Sequence, residues 1–212
     1  MLRYKREITL LAGDVGCDRA GAPIVRGVSF TLKPGDALQL FGANGSGKTS
    51  LLALFAGHIR TATGNVSWSI ADGQEQANPF AGSVFFLGHE VSVKPALTAQ
   101  ENLLFWATLY GADKSAGGDQ IGAALDRVGM SDCRNMRAGQ LSAGQRRRID
   151  LARALLARRE VWLMDEPAAA IDADGVAMLR GMISEHLDSG GIALIATHDE
   201  LGVASRKLEI GG

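Results

Sequence analysis

Eight consecutive residues, Gly42-Ala43-Asn44-Gly45-Ser46-Gly47-Lys48-Thr49, follow the apolar run Leu38-Gln39-Leu40-Phe41 and precede a helical pattern. This is the GxxxxGK[ST] arrangement in the strand-to-helix setting that a phosphate-binding loop requires. Glycines let the backbone curl until successive N–H groups face one anion, and the following helix adds its positive N-terminal end. In such a loop Lys48 reaches the β- and γ-phosphates of a nucleotide, and the Thr49 hydroxyl takes a magnesium ion. A glycine turn that happens to precede a lysine is the bland alternative, and the flanking strand and helix count against it.

The complementary half of the chemistry lies far downstream. Val161-Trp162-Leu163-Met164 reads as a strand that delivers Asp165 and Glu166 at its C-terminal end. A carboxylate there can sit beside the metal, as expected at the switch point of an open α/β sheet. Glu166 is placed to polarise an attacking water, although an Asp-Glu-Pro sequence also suits a solvated turn carboxylate. His198, just beyond the run Ile192 to Ala196, is on its own residues either a structural hydrogen-bonder or a catalyst.

These groups need a scaffold, and the hydrophobic period supplies its outline. Short apolar runs at 28–32, 37–41, 66–70, 84–87, 161–164 and 192–196 read as buried strands. Helical patterns cover 48–56, 141–156 and 175–187. From Thr98 to about Met130 the pattern is helical without a strand, opening on the capping box Thr98-Ala-Gln-Glu101 and broken between Asp113 and Asp119. The expected architecture is an α/β core with a helical insert. Phe105 and Trp106, at helical spacing, are expected in the core rather than on a partner-binding patch.

Composition removes several classes. The chain has 212 residues, 46% of them hydrophobic, with 22 basic and 23 acidic side chains. It is too apolar for disorder, its charge gives no pull toward nucleic acid or anionic lipid, and no apolar run approaches the ~18 residues of a membrane span. The N-terminal residues carry no signal-peptide pattern, so a cytoplasmic location is expected. Cys17 and Cys133 fit no zinc or CxxC spacing and are expected as free thiols. Glycine is abundant at 27 residues, and three of them, Gly42, Gly45 and Gly47, fall in the phosphate loop.

Leu141-Ser142-Ala143-Gly144-Gln145 resembles the LSGGQ signature of ABC ATPases, and it stands in that family's order: phosphate loop, helical insert, signature, acidic strand, histidine. The resemblance covers essentially the whole chain. It implies a P-loop, RecA-like core, residues 1–88 and 146–212, with a helical and signature subdomain at 89–145. It implies ATP and Mg²⁺ as cofactors and a head-to-tail homodimer in which Ser142, Gly144 and Gln145 of one copy close over the γ-phosphate held by the other. Glu166 then resembles the general base and His198 the residue that aligns γ-phosphate and water. Asp172 resembles the loop that couples the two sites. Arg146-Arg147-Arg148 read as an ordinary helix face behind the signature, so no nucleic acid is expected.

Three departures from the family pattern stand out. His89 or Glu90 occupies the place of the usual magnesium-sensing glutamine. Arg19 stands where an aromatic residue usually stacks on adenine; a guanidinium can also stack. Ala143 replaces one of the two signature glycines. The strings Gly88-His89-Glu90, Lys94 to Leu103 and Leu-Ser-Ala-Gly-Gln-Arg-Arg-Arg are similar to the cytochrome c maturation, or haem exporter, branch of the family. That branch implies separate integral membrane subunits, attachment to the cytoplasmic face of the inner membrane, and haem only as an indirect cargo. A motor for metal, peptide or lipid transport is the alternative, and a DNA- or ribosome-acting ABC ATPase is a more distant one.

Overall fold

The computed structural model describes residues 4, 6–19, 21–70, 75–76, 82–111 and 117–211. Contacts divide the chain into two units, one made of Met1–Phe86, Arg159–Glu166 and Met182–Gly212, the other of Leu87–Arg158 and Pro167–Gly181. The expected boundary at residue 146 falls inside a helix, Ala143–Ala157, that belongs as a whole to the second unit.

Two sheets form the first unit. One has the order β2-β1-β4-β5, with β1 (Ile8–Arg19) antiparallel to both β2 (Ala22–Leu32) and β4 (Thr63–Ile70), and β5 (Glu75–Gln76) at its edge. The other runs β6-β7-β8-β3-β9 and comprises β6 (Val84–Leu87), β7 (Val161–Asp165), β8 (Ile192–Ala196), β3 (Ala37–Phe41) and β9 (Arg206–Glu209). The pairs β7–β8, β8–β3 and β3–β9 are parallel. Parallel strands covered on both faces read as unbroken apolar runs, as Val161–Asp165 and Ile192–Ala196 do, every residue of which is buried. β1 was hidden in the sequence because Gly13, Asp14 and Gly16 interrupt its alternation where the ladder shifts register. β9 is a mostly exposed edge strand and carries no apolar run.

Helix α1 (Lys48–Phe55) buries Leu51, Leu52 and Phe55 in a core shared with Leu10, Leu40, Trp68, Leu163 and Leu194. Each such side chain is worth about 1.5–3 kcal/mol of burial. His186 pins the opposite end of the strands. Its Nε2–H donates to the Ile192 carbonyl at 3.0 Å, which leaves Nδ1 to accept from the Tyr4 hydroxyl at 2.9 Å. The ring stacks on Trp162 at 4.0 Å between centroids. Burial pushes His186 down from 6.5 to about 4 and, with Glu160 adding to it, pushes Tyr4 up to about 12.

The second unit packs α2 (Ala99–Leu109), α3 (Gly117–Arg127) and α4 (Ala143–Ala157) against one another. The Thr98–Glu101 capping box is formed in both directions. Helix α3 begins at Gly117, inside the stretch expected to be a break. One expectation fails: Phe105 is 42% exposed, beside Leu104 and Leu109 on the outer face of α2, and Trp106 is only half-buried. The indole N–H of Trp106 donates to the Ser92 carbonyl, and its ring takes the Arg153 guanidinium and stacks on Tyr110. Cys17 is a buried free thiol and Cys133 a half-buried one.

Candidate active site

Register in the parallel sheet decides which chain ends meet. Leu40 pairs with Ala196, and Ala196 pairs with Asp165, so β3, β8 and β7 end side by side. The segments that leave those ends are Gly42–Thr49, Thr197–His198 and Glu166. Three stretches remote in sequence therefore reach one edge of the sheet, as the switch-point rule expects.

The phosphate loop has the curled backbone its sequence calls for. Gly42, Gly45 and Gly47 have φ of 149°, 86° and 101°. A side chain at Gly47 would run into Ile24 and Val25, whereas a Cβ at Gly45 would meet nothing within 4 Å. Gly47 is thus required by crowding and conformation together, and Gly45 by conformation alone. Ala43, Asn44 and Gly45 are exposed, and the buried Ser46 hydroxyl has no partner among the described residues. Lys48 is buried and its ammonium donates to the carbonyls of Gly42 at 2.7 Å and Ala43 at 3.2 Å. The ammonium is thus held by two carbonyls of the loop itself.

The Thr49 hydroxyl donates to Asp165 at 2.7 Å, and Asp165 is only 2% exposed. Hydroxyl and carboxylate are the hard oxygens that magnesium takes together with phosphate. One residue on, the Glu166 carboxylate lies 3.1 Å from His198 Nε2. The backbone of Glu166 is left-handed, with φ 46°, and its N–H donates to the Ala196 carbonyl at 2.9 Å. Asp165 and Glu166 consequently face different partners although they are neighbours.

Signature residues and their companions belong to the second unit. Ser142 caps α4: its hydroxyl accepts from the Gln145 N–H at 3.1 Å, and the Gln145 side chain accepts from the Ser142 N–H at 2.9 Å. The first-turn N–H groups of a helix have no partner within it, which leaves those of Ala143 and Gly144 suited to an anion. A Cβ on Gly144 would stand 2.5 Å from the Ala170 carbonyl, whereas Ala143 is exposed. Asp172 accepts from the Gly175 N–H and pairs with Arg148, and the first of these, then the second, holds its carboxyl below the usual range. His89 and Glu90 are both exposed, directly after β6. Arg19 ends β1, and its side chain lies outside the described residues.

The ABC transporter family profile matches residues 25–169, a span that runs from β2 past Glu166. The chain belongs to the ABC transporter family. This ABC chain is 42% identical to the cytochrome c biogenesis ATP-binding export protein CcmA of Rhodopseudomonas palustris (strain HaA2), over 92% of its own length and 94% of the relative's. It is 41% identical to CcmA of Ruegeria pomeroyi over 96% and 92%. An ABC transporter ATP-binding protein from Pyrococcus furiosus superposes with a TM-score of 0.82 at 28% identity, over 95% of this chain and 97% of that one. As an ABC transporter subunit it binds and hydrolyses ATP and works with membrane partners. Among the described residues no helix is long and apolar enough to cross a membrane.

Sequence reasoning missed one group in this ABC chain. Arg147 was read as part of an ordinary helix face, yet it is 1% exposed and bonded to loop carbonyls, whereas Arg146 bonds Leu141 and Arg148 pairs with Asp172. The signal available was the alternation of charge at three-residue steps, Arg147, Asp150, Arg153, on a helix whose other residues from Ile149 to Ala157 are apolar.

Proposed function

We propose that this chain is the ATP-hydrolysing motor of a transporter complex serving cytochrome c biogenesis, which drives haem export or release of a haem chaperone through separate membrane subunits. The observation that carries this reading is 41–42% identity, along nearly the full length of both chains, to proteins named for that process. The sequence contains no CxxCH string.

In this reading Gly42, Ala43, Asn44, Gly45, Ser46 and Gly47 cradle the β-phosphate, and Lys48 leaves its loop carbonyls to hold the β- and γ-phosphates. Thr49 and Asp165 hold magnesium, which supplies charge neutralisation between the phosphates when bound. Water attacks the γ-phosphorus, the bond to the ADP oxygen breaks, and the Glu166 carboxylate takes the water's proton. His198, at 3.1 Å from Glu166, orients that carboxylate and the γ-phosphate. A head-to-tail homodimer brings Ser142, Gly144 and Gln145 of the second copy over the γ-phosphate, with Asp172 linking the two sites. His89 or Glu90 senses magnesium, and Arg19 stacks on adenine. The complex sits on the cytoplasmic face of the inner membrane.

The test is affinity isolation of the chain from detergent-solubilised membranes, combined with measurement of holocytochrome c in cells that lack it. Copurification of cytochrome c maturation subunits and loss of holocytochrome c are expected. Normal holocytochrome c would defeat the assignment to this process while leaving the ATPase intact.

A further inference from the structure

Helix α4 carries three charged side chains that are almost wholly buried: Arg147 at 1%, Asp150 at 0% and Arg153 at 4% exposure. Asp150 pairs with both arginines. Arg153 turns toward α2, where it donates to the Tyr110 hydroxyl at 3.2 Å and lies 3.8 Å over the Trp106 ring. Arg147 turns the other way. It donates to the Gly88 carbonyl at 2.9 Å and to the Pro167 carbonyl at 3.4 Å.

Those two carbonyls are not arbitrary. Gly88 directly precedes His89-Glu90, and Pro167 directly follows Glu166. Glu166 itself has φ 46°, a conformation that a side chain rarely adopts and that persists only where its surroundings fix it. One hold is its own N–H bonded to Ala196; the Arg147 guanidinium, on the carbonyl of the next residue, Pro167, is another. A buried ion pair gains little over apolar packing, so stability alone is a weak reason for this arrangement. A planar fork that can bond two loops at once is a better one.

We propose that Arg147 is a positioning residue for ATP hydrolysis, clamping the backbone beside Glu166 and the backbone that leads into His89-Glu90, with Asp150 fixing the guanidinium in place. This rests on the reading of Glu166 as the base. The clamp acts on the chemical step rather than on nucleotide capture, because neither carbonyl belongs to the phosphate loop.

The experiment uses the full chain in its transporter complex and compares Arg147→Met, Arg147→Lys, Arg153→Met and Glu166→Gln. Arg147→Met leaves Asp150 paired with Arg153, and Arg153→Met leaves it paired with Arg147, so neither orphans the carboxylate. Arg147→Met is expected to lower kcat at least ~10-fold while the KM for ATP stays within ~3-fold, as misplacement near the reacting groups does. Arg147→Lys is expected not to restore kcat, since an ammonium lacks the planar fork. Arg153→Met is expected to lower the Tm at least as much as Arg147→Met and yet keep kcat within about 2-fold, since its contacts lie on the far side of Asp150. Unchanged kcat in a folded Arg147→Met complex overturns the clamp, as does a loss of kcat that tracks Tm across both arginine variants. If Arg147→Met does not assemble, normal kcat in Arg147→Lys overturns it equally. Glu166→Gln separates the two readings: normal turnover there removes the base assignment, whereas its loss beside a fully active Arg147→Met removes only the clamp.

Discussion

Replacing Gly144 by alanine adds one methyl group at a place where the structure leaves no room for it. The new Cβ would lie 2.5 Å from the Ala170 carbonyl oxygen, and real Cβ atoms essentially never come within 3.0 Å of a heavy atom, so the loop or the start of α4 must move by about 0.5 Å or more. Ala170 is poorly able to yield, being already left-handed at φ 64°, and two residues on stands Asp172, which accepts from the Gly175 N–H at the start of the helix Ala173–Asp188. The movement is thus passed either to Asp172 or to Ser142, both assigned to the composite site. Misplacement on the scale of 1 Å costs up to ~100-fold in rate, so ATP turnover by Gly144→Ala is expected to fall about 10- to 100-fold. Stability should change much less. Alanine gains up to ~1 kcal/mol over glycine within a helix, against an overpacking cost of about 1–3 kcal/mol. The net, about 0–2 kcal/mol, corresponds to a Tm shift of at most about 8 °C for a chain this long, at about 2–4 °C per kcal/mol. Steady-state phosphate release and thermal unfolding, measured on the same preparation, separate the two effects. The neighbouring substitution Ala143→Gly serves as control, because that side chain is exposed. Wild-type turnover in Gly144→Ala would refute the argument that this glycine is held by the Ala170 carbonyl.

Glu166→Gln is expected to keep ATP binding, lose turnover and accumulate an ATP-bound dimer, detectable by size-exclusion chromatography with ATP; an ordinary hydrolysis rate would remove Glu166 from the proton-transfer step. For Lys48→Ala the expectation is loss of nucleotide affinity, read by equilibrium binding of a fluorescent ATP analogue, since the ammonium that bridges Gly42 and Ala43 is the loop's own cation. His186 makes stability depend on pH. Its folded value of about 4 lies below the usual 6.5, so the native state excludes a proton that the unfolded chain binds. Stability from this group is complete above pH 6.5 and is lost as the pH falls toward 4, by about 3 kcal/mol in all, at 1.36 kcal/mol per unit. Urea unfolding of wild type and His186→Gln at pH 7.5 and 4.5 should show the two converging at low pH; a constant gap would contradict the linkage.

What could be read from the sequence was whatever the chemistry keeps local. The phosphate loop is eight contiguous residues, and the Asp165-Glu166 pair ends an apolar run that only a doubly covered strand explains. The Ser142–Gln145 reciprocal cap spans one helical turn. What escaped depends on groups that are distant in sequence. β1 is a strand because β2 and β4 flank it, despite bulges and a left-handed Asp14. Phe105 lies outward because Leu103 and Ala107, on the other face of the same helix, take the buried positions. Arg147 looks like a surface residue until Gly88 and Pro167 are seen to converge on it.

The same division explains where local rules break. Among the described residues four non-glycines have positive φ, and two of them, Glu166 and Ala170, fall within five residues of the end of β7. A pattern-based reading assigns each residue its own low-energy conformation and therefore smooths over such a stretch. Left-handed backbone of this kind costs about 1–3 kcal/mol per residue and survives only where neighbours over-determine it. Here those neighbours are the Ala196 carbonyl, the Arg147 guanidinium and the Gly144 backbone that crowds Ala170. The strain is therefore concentrated on the segment that carries Glu166 and leads to Asp172. A loop relaxed into ordinary conformations would turn the Glu166 carboxylate away from His198, so the conformational cost and the proposed catalytic geometry have a single origin.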